Sequence, residues 1–507
     1  MTTPDKNGAG EQNDGYSAAG FLTRTAVNGV IKSVCDVMRR SNCAGALQYI
    51  PEISWLLFLR ILDERDELAE LNAHQKGTTY RPVIDAPYRW RDWASPPTPS
   101  LFATDTRRFR GWKREQLRRQ GRGAVPAFVR DDLLPYLHGL GSRSDSGPNA
   151  AVISAVLRGV SQPRLASEAD FLTILDRLDS LRESLIDKTH VFPISEVYEG
   201  LLLKMGEKAA NGGQFFTPRE VIRAMLHVID PRPGETVYDP CCGTGGFLAE
   251  SFEHMRRRAG QDRGTPASWT HAFFGREKDS LIYPITLANL LLHGIDLPHV
   301  WNGNTLTGAI VDDALFRGVP AMFDVVLTNP PFGGKEGKES QERFAFPTGS
   351  TQVLFLQHVL DSLKPGGRCG IVVDEGVLFR TADAAFVQTK RKLLTECDLW
   401  CIVSLPPGTF ASAGAGVKTN LLFFTKGRPT DTVWYYDLSS RPVGKKTPLR
   451  LHDFEEFFRF LPTREDSPRS WSRPRGEIED ACYDLKATNP HSSIPTEECS
   501  VFELIGK

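Results

Sequence analysis

The chain has no long hydrophobic run, since no apolar stretch approaches the roughly 18 residues that a membrane-spanning helix needs. Residues 1–19 are polar and contain no apolar core, which is not the pattern of a secretory signal. We expect this segment to be disordered. Both absences favour a cytoplasmic protein that does not enter a membrane.

Cysteine is sparse, and charge of either sign is not in excess. The nine cysteines show no paired metal-ligand spacing, which predicts free thiols and no bound metal. The net charge of −1 argues against a protein that coats nucleic acid by bulk electrostatics. One local exception lies between Arg107 and Arg122, where many basic residues face the single acid Glu115. This run predicts either a solvated helix face or a contact with DNA phosphate or a partner.

Three regions differ in their hydrophobic pattern. Apolar positions at helical spacing predict an all-α N-terminal domain over residues 20–187. Alternating strands and helices over residues 188–427 predict an α/β fold with a doubly wound, Rossmann-like sheet. Residues 428–507 are predicted to form a short C-terminal tail with one helix near residues 454–458. The predicted strands are 236–239, 272–275, 324–328, 368–373, 400–404 and 421–424.

A glycine-rich loop follows the first of these strands. Residues 237–247 read Val-Tyr-Asp-Pro-Cys-Cys-Gly-Thr-Gly-Gly-Phe, so an apolar strand leads through three glycines into a helix. Glycine allows a ligand to approach the backbone, and the helix N-terminus offers unpaired N–H groups. Glu277 ends the next strand, where a carboxylate suits ribose hydroxyls, with a solvated turn as the alternative.

A helix start precedes the glycine loop. Thr217, Pro218 and Glu220 fit a capping box with proline in the first turn, which predicts an N-terminus there. The pattern is that of an ordinary helix start, and its position just before the glycine strand is what draws attention to it.

The segment Asn329-Pro330-Pro331-Phe332 follows an apolar strand over residues 323–328. Proline fixes φ and lacks an N–H group, so this corner offers acceptors and no backbone donors at two positions. Such a corner suits the binding of an exocyclic amine that acts as a nucleophile. An ordinary strand-ending turn is the alternative.

Taken together, these segments resemble the N6-adenine DNA methyltransferases, and specifically the modification subunits of type I restriction-modification systems. The resemblance covers most of the chain, and the order of its motifs carries it more than any single one. The matching segments are 214–218, 239–247, 277, 303–306, 329–332, 363–368, 377–379, 405–410, 418–424 and 483–490.

The resemblance implies a class I methyltransferase fold that transfers a methyl group from S-adenosyl-L-methionine to adenine N6 in duplex DNA. It implies a catalytic corner of Asn329, Pro330, Pro331 and Phe332, with Phe332 stacking on the flipped base. Asparagine and phenylalanine at the ends of this corner favour adenine over cytosine N4. The implied contacts to the methyl donor are Gln214, Phe215, Phe216, Thr217, Pro218, Asp239, Gly243, Thr244, Gly245, Gly246, Glu277 and Asn304.

Partners follow from the same resemblance. No block large enough to read DNA bases follows residues 400–404, which predicts that a separate specificity subunit selects the target. The family suggests two copies of this chain per complex, a restriction subunit that is a translocating nuclease, and a tail that contacts a partner. The chain departs from the family pattern at Cys241, where alanine is usual, and at residues 374–376, where a proline is usual.

Three other functions are compatible with the same residues. The corner also suits a protein glutamine amide or an RNA amine, because both present a planar NH2 group. The chain could instead be a non-catalytic scaffold for a DNA-reading partner. It could also perform the same methylation within another phage-defence system.

Overall fold

The computed structural model describes residues 24–41, 46–98, 109–143, 149–165, 167–181, 217–259, 269, 271–312, 314–316, 318–410, 417–444 and 447–491. The predicted disordered segment 1–19 lies outside these residues. The N-terminal part is helical, as predicted. Its helices span Arg24–Arg40, Ala46–Gln75, Trp90–Trp93, Trp112–Gln120, Ala124–Phe128, Leu134–Gly139, Ala150–Leu157 and Glu168–Asp179, with a π-helical turn at Val129–Leu133 and a 3-10 turn at Leu140–Ser142.

The long helix Ala46–Gln75 organises this helical part. Its apolar residues Ile53, Leu57 and Phe58 are fully buried, as the helical spacing of the sequence predicts. Residues 80–98 contain the short helix Trp90–Trp93, with both tryptophans buried. Burial of these large side chains against the long helix stabilises a turn that the local sequence does not indicate.

A single mixed sheet follows, confirming the predicted α/β fold. Among the described residues it has ten strands: β1 Val237–Asp239, β2 Phe273–Glu277, β3 His299–Asn304, β4 Ala309–Asp312, β5 Phe323–Thr328, β6 Leu363–Asp374, β7 Cys397–Ser404, β8 Thr419–Lys426, β9 Thr432–Asp437 and β10 Ser470–Pro474. The helices of this part are Arg219–Ile229, Gly246–Ala259, Tyr283–Leu292, Lys338–Gln341, Thr351–Ser362, Glu375–Phe379, Ala384–Glu396, Glu455–Phe460 and Arg475–Asp480, with a 3-10 turn at Leu451–Phe454.

The strand order is β10-β9-β7-β8-β6-β5-β1-β2-β3-β4. The chain moves outward from β1 through β2 and β3, then returns to the other side of β1 with β5. Both neighbours run parallel to β1, so the order reverses there and a crevice opens at the carboxyl ends of β1 and β5. Ligands of open α/β sheets bind at this kind of position.

Alternate residues of the central strands face two separate cores. Val237 packs with the helices Arg219–Ile229 and Gly246–Ala259, whereas its neighbour Tyr238 faces the helix Thr351–Ser362. This alternation follows from the two-residue period of a strand. Helices therefore cover both faces, which explains why the central strands are almost continuously apolar.

The sheet continues beyond Gly427. β9 pairs in parallel with β7, and β10 pairs antiparallel with β9, so residues predicted as tail extend the sheet. The predicted helix near residues 454–458 is present as Glu455–Phe460. The sequence interpretation missed both strands. The run Val433 to Tyr436 was a usable signal, because its four residues are aromatic or β-branched and such residues favour strands. All four are buried in the structure.

The helical part packs against the sheet part through the helix Tyr283–Leu292. Ile153 of the helical part and Leu291 of the sheet part belong to one buried cluster. At its rim the Asn149 side chain donates a hydrogen bond to Asp296 at 3.3 Å. No helix in the described ranges combines the length and the apolar character needed to cross a bilayer.

The basic run is divided between interior and surface. Arg110 pairs with Asp179 at 3.1 Å, and the buried Arg114 pairs with Asp176 at 2.5 Å. Arg118 and Arg122 are exposed, so part of the run does form a solvated face. The prediction treated the run as one unit and missed that two of its arginines bind carboxylates inside the helical domain. Arg107 and Arg108 lie outside the described residues.

Candidate active site

The proline corner lies directly beside the glycine loop. Thr328, the last residue of β5, donates a hydrogen bond from its hydroxyl to the Asp239 carboxylate at the end of β1, at 2.7 Å. The Cys241 sulfur lies 3.1 Å from the same hydroxyl. The two motifs, far apart in sequence, therefore share one crevice at the carboxyl ends of adjacent strands.

The Asn329 carboxamide has a hydrogen-bond partner at its nitrogen and none at its oxygen. Its Nδ2 donates to the hydroxyl of Thr217 at 3.0 Å. Its Oδ1 is buried, and no described residue donates a hydrogen bond to it. A buried amide oxygen without a donor costs free energy, which indicates a position where a ligand N–H group is expected.

The Pro330 carbonyl is fixed by a residue that sequence reasoning missed. Gln352, which is 2 % exposed, donates from Nε2 to this carbonyl at 3.3 Å. Its Oε1 accepts from the backbone N–H of Asp374 at 2.9 Å. Gln352 thus joins the corner to the end of β6. Gln352 lies in a largely apolar helix, and sequence reasoning therefore did not single it out. A polar residue at a core position was nevertheless a signal of a specific hydrogen-bonding role.

Phe332 closes the corner against a second aromatic side chain. Its ring lies 5.4 Å from that of Phe410, at an interplanar angle of 75°. Phe410 belongs to the segment 405–410, one of those that carry the family resemblance. The structure brings this segment beside Phe332.

The glycine loop needs glycine for its geometry. Gly243 and Gly245 have φ of 52° and 82°, a region that other residues rarely adopt. A Cβ at Gly245 would lie 3.1–3.2 Å from the side chains of Leu290 and Thr286. The Thr286 hydroxyl donates to the Gly243 carbonyl, and Asn289 donates to the Thr244 carbonyl at 2.8 Å. Sequence reasoning did not identify these two supports.

Two buried carboxylates flank the loop. Glu277 accepts from the backbone N–H groups of Gly243 at 2.9 Å and Asp279 at 2.7 Å. Burial raises the pKa of Glu277 to about 8, although these hydrogen bonds oppose the shift. Burial likewise raises the pKa of Asp239 to about 7, opposed by the Thr328 hydroxyl. Neither carboxylate has a basic side chain as its hydrogen-bond partner among the described residues, so both favour a ligand that donates hydrogen bonds.

The predicted capping box is wrong. The helix begins at Arg219 with Pro218 as its N-cap, and no side chain caps it. The Thr217 hydroxyl is directed to Asn329 instead, and Glu220 binds Arg223 and the backbone N–H of Leu451. Tertiary contacts to these two side chains replace the local hydrogen bonds that a capping box would use.

The other predicted contacts are only partly described. The Asn304 side-chain oxygen accepts from the Leu306 N–H group at 3.0 Å and thereby stabilises its own turn. Thr244 and Gly246 lie in the glycine loop. Gln214, Phe215 and Phe216 lie outside the described residues.

The departure after β6 has a clear structure. Asp374 caps the helix Glu375–Phe379, since its carboxylate accepts from the Val377 N–H group at 3.0 Å. A conventional N-cap therefore takes the place of the proline usual in the family. At the other departure, the Cys241 thiol fits the space beside Thr328.

Comparison with known proteins agrees with this geometry. The family model described as N-6 DNA Methylase matches residues 189–499, and the model described as HsdM N-terminal domain matches residues 27–133. The methylase subunit of the type I restriction enzyme EcoEI from Escherichia coli is 32% identical over 483 residues, covering 92% of this chain and 91% of that protein. The StySJI methylase subunit from Salmonella typhimurium is 34% identical over 372 residues, covering 68% and 67%.

Solved structures give the same result. A chain from a study of assembly and conformational transition in the type I restriction-modification system is 35% identical, with a TM-score of 0.68 and coverage of 95% and 94%. A modification subunit from Vibrio vulnificus YJ016 is 30% identical, with a TM-score of 0.75 and coverage of 96% and 99%.

A doubly wound sheet with a glycine loop and a proline corner at its switch point is the arrangement of a class I methyltransferase. This chain belongs to the N-6 DNA Methylase family and is a methylase subunit of a type I restriction-modification system, an adenine-N6 DNA methyltransferase. The comparisons do not favour the protein- or RNA-directed enzyme, the scaffold or the other defence system.

Proposed function

We propose that this chain methylates adenine N6 in duplex DNA at the Asn329 corner, with S-adenosyl-L-methionine as donor and a separate subunit choosing the site. The observation that carries this assignment is the buried Asn329 Oδ1, which has no donor among the described residues and lies beside the glycine loop. An exocyclic NH2 group supplies the missing donor. The Pro330 carbonyl offers a second acceptor, because Gln352 occupies only one of its two lone pairs.

The residues present fit the proposed donor. Gly245 packs so closely against Leu290 and Thr286 that the loop can bend there only with glycine, which fixes the loop beside the crevice. Asp239 would bind the donor's ammonium group directly or through water, and Glu277 its ribose hydroxyls, which gives both buried carboxylates a partner. Gly243, Thr244 and Gly246 would hold the methionine part, and Asn304 the adenine edge. When bound, the donor supplies an electrophilic methyl group on a sulfonium.

The corner acts on the electrons of the target amine. In free adenine the N6 lone pair is delocalised into the ring, which makes the amine a poor nucleophile. Acceptance of its two N–H groups by Asn329 Oδ1 and the Pro330 carbonyl would favour tetrahedral geometry and localise the lone pair. The nitrogen becomes acidic as it reacts and loses one proton to solvent. Phe332 would stack on the flipped base, with Phe410 against its edge.

Partners belong to the same proposal. A specificity subunit would select the target DNA sequence, and a translocating nuclease would act as the restriction subunit. Each complex would contain two copies of this chain. The 35%-identical chain comes from a study of complex assembly in the type I restriction-modification system, which supports a multi-subunit complex. The net charge of −1 supports a sharing of the DNA affinity among several subunits. We also propose a cytoplasmic location, where the chromosome lies, and a partner contact for residues 428–507.

Mapping modified adenines tests this function. The full chain would be expressed with a specificity subunit from the same genome, in a host that lacks other adenine methylases. We expect N6-methyladenine at one recurring sequence, absent when the chain is omitted. An unmodified genome with folded, co-purifying subunits would refute the proposal, and methyl transfer to protein or RNA alone would establish the alternative.

A further inference from the structure

We infer that Thr217 is a positioning residue that holds the Asn329 carboxamide with its oxygen toward the target amine. This inference rests on the proposed function and adds a residue to its machinery. By resemblance Thr217 is a contact of the methyl donor. The contact in the structure is different, since its hydroxyl accepts from Asn329 Nδ2 at 3.0 Å.

The orientation of this amide decides whether the corner can act. The two ends of a carboxamide have opposite roles, because the oxygen accepts and the NH2 group donates. The terminal torsion of asparagine is soft and roughly two-fold, so the side-chain torsion alone does not select one orientation. A flipped amide would direct its NH2 group at the NH2 group of adenine and remove the proposed acceptor.

Thr217 anchors the carboxamide in the orientation that the structure shows. With Nδ2 bound to the Thr217 hydroxyl, Oδ1 is the atom that is buried without a hydrogen-bond donor among the described residues. Thr217 is itself held by the chain that follows it. The helix Arg219–Ile229 is anchored by Ile222, whose side chain lies 3.1 Å from the position of a Cβ on Gly246. The segment of the predicted helix start is thereby tied to both the glycine loop and the corner.

The contact joins residues 112 positions apart, which explains why the sequence suggested a helix cap instead. A threonine hydroxyl before a helix is most often used locally. Here no side chain caps the helix. The hydroxyl contributes to the corner and not to the helix end.

The test compares Thr217→Val, which keeps shape and removes the hydroxyl, with Thr217→Ser, which keeps the hydroxyl. The full methylase assembly would be assayed on a duplex containing the site mapped for the wild type. We expect Thr217→Val to lower kcat about 10- to 100-fold and Thr217→Ser to stay within about threefold. The control is Thr389→Val, which removes a buried hydroxyl bonded to its own helix at 2.7 Å, with no change expected in kcat.

Binding provides a readout that does not depend on turnover. We expect the affinity of each variant for S-adenosylhomocysteine, measured by calorimetry, to stay within about twofold of the wild type. A loss of that affinity with unchanged kcat would overturn the inference, because it would make Thr217 a donor contact only. Melting temperatures would identify a variant that fails to fold, and Thr217→Ala, which also lacks the hydroxyl, would then replace Thr217→Val in the comparison.

A double-mutant cycle with Asn329→Asp isolates the orientation. A carboxylate has two equivalent oxygens, so flipping changes nothing, and Thr217→Val should cost less than about threefold in that background. An equal penalty in both backgrounds would refute the orienting role. The failures are distinguishable: a wild type that never methylates adenine in DNA refutes the proposed function, whereas an active wild type with an equally active Thr217→Val refutes only this inference.

Discussion

The guanidinium of Arg65 donates a hydrogen bond to the backbone carbonyl of Leu291 at 2.7 Å and contacts the carbonyl of Leu292 as well. Arg65 lies on the long helix of the N-terminal part, and the two carbonyls end the helix Tyr283–Leu292. The same helix supports the glycine loop through Thr286 and Asn289. A side chain of the helical part thus caps the helix that holds the proposed donor site.

We expect Arg65→Ala to destabilise the protein by about 2 kcal/mol, because hydrogen bonds from a charged group to helix-end carbonyls are lost. Urea unfolding would measure this. Arg118→Ala, at an exposed arginine of the basic run, is the control and should change stability by less than about 0.5 kcal/mol. Equal effects of the two changes would contradict the capping role.

The basic run should separate into structural and surface residues. Arg114 is 4% exposed and donates to the Ala94 carbonyl at 2.9 Å in addition to Asp176. We expect Arg114→Ala to cost about 2–3 kcal/mol, since both acceptors lose a charged donor. Arg119→Ala should be nearly neutral, because its side chain is 78% exposed and its pairing with Glu115 lies on the surface. Chemical unfolding of both variants decides between the two roles.

Asn329→Ala should remove activity while leaving donor binding intact. Losing the acceptor for N6 should lower kcat by roughly 10²–10³-fold, the usual cost of removing one transition-state hydrogen bond. Affinity for S-adenosylhomocysteine should be unchanged, because the proposed donor contacts lie in the glycine loop. Single-turnover methylation and calorimetry measure the two quantities, and near-normal methylation in this variant would remove the residue from the mechanism.

Gln352→Leu should lower kcat about tenfold by releasing the Pro330 carbonyl and the end of β6. A matched control lies on the same helix, because Gln357 is 1% exposed and binds the backbone N–H and carbonyl of Phe346 at 3.0 and 2.9 Å. Both substitutions leave two backbone groups without a partner, so both should destabilise by about 1–3 kcal/mol. If Gln357→Leu lowered kcat as much as Gln352→Leu at a temperature where both variants are folded, the loss of activity in Gln352→Leu would reflect general destabilisation and not the Pro330 contact.

The pH dependence of stability should report the burial of Glu277. Its pKa rises from 4.5 to about 8 on folding, so between these pH values the folded state binds a proton that the unfolded state does not. This contribution to stability is fully present below pH 4.5 and is lost as pH rises through about 8.

Glu277→Gln removes this titration, so the melting temperature of the wild type relative to the variant should fall as pH rises from 5 to 8. The change of this melting-temperature difference with pH reports the titration. Its absolute size does not, because glutamine cannot accept the hydrogen bonds of both Gly243 and Asp279 as a carboxylate does. Differential scanning calorimetry over that range would measure it. A difference in melting temperature that does not vary with pH would show that Glu277 does not titrate there.

Much of the fold follows from local pattern. Each predicted strand has a counterpart in the structure, because a buried parallel strand is apolar on both faces and is bounded by turn residues. The strands β3, β4, β9 and β10 were missed; they are the two outermost strands at each end of the sheet, where pairing with a neighbour contributes more than composition does.

The sequence by itself determined the chemistry available to this protein: a glycine loop between a strand and a helix, and an asparagine before two prolines at the end of a strand. Those features depend on neighbours in the chain and are visible as motifs. Only the tertiary structure decided that Thr217 binds Asn329, that Gln352 holds the Pro330 carbonyl, and that Arg110 and Arg114 face inward. Each of these contacts joins residues distant in sequence, and their partners are selected by packing, which no local pattern encodes.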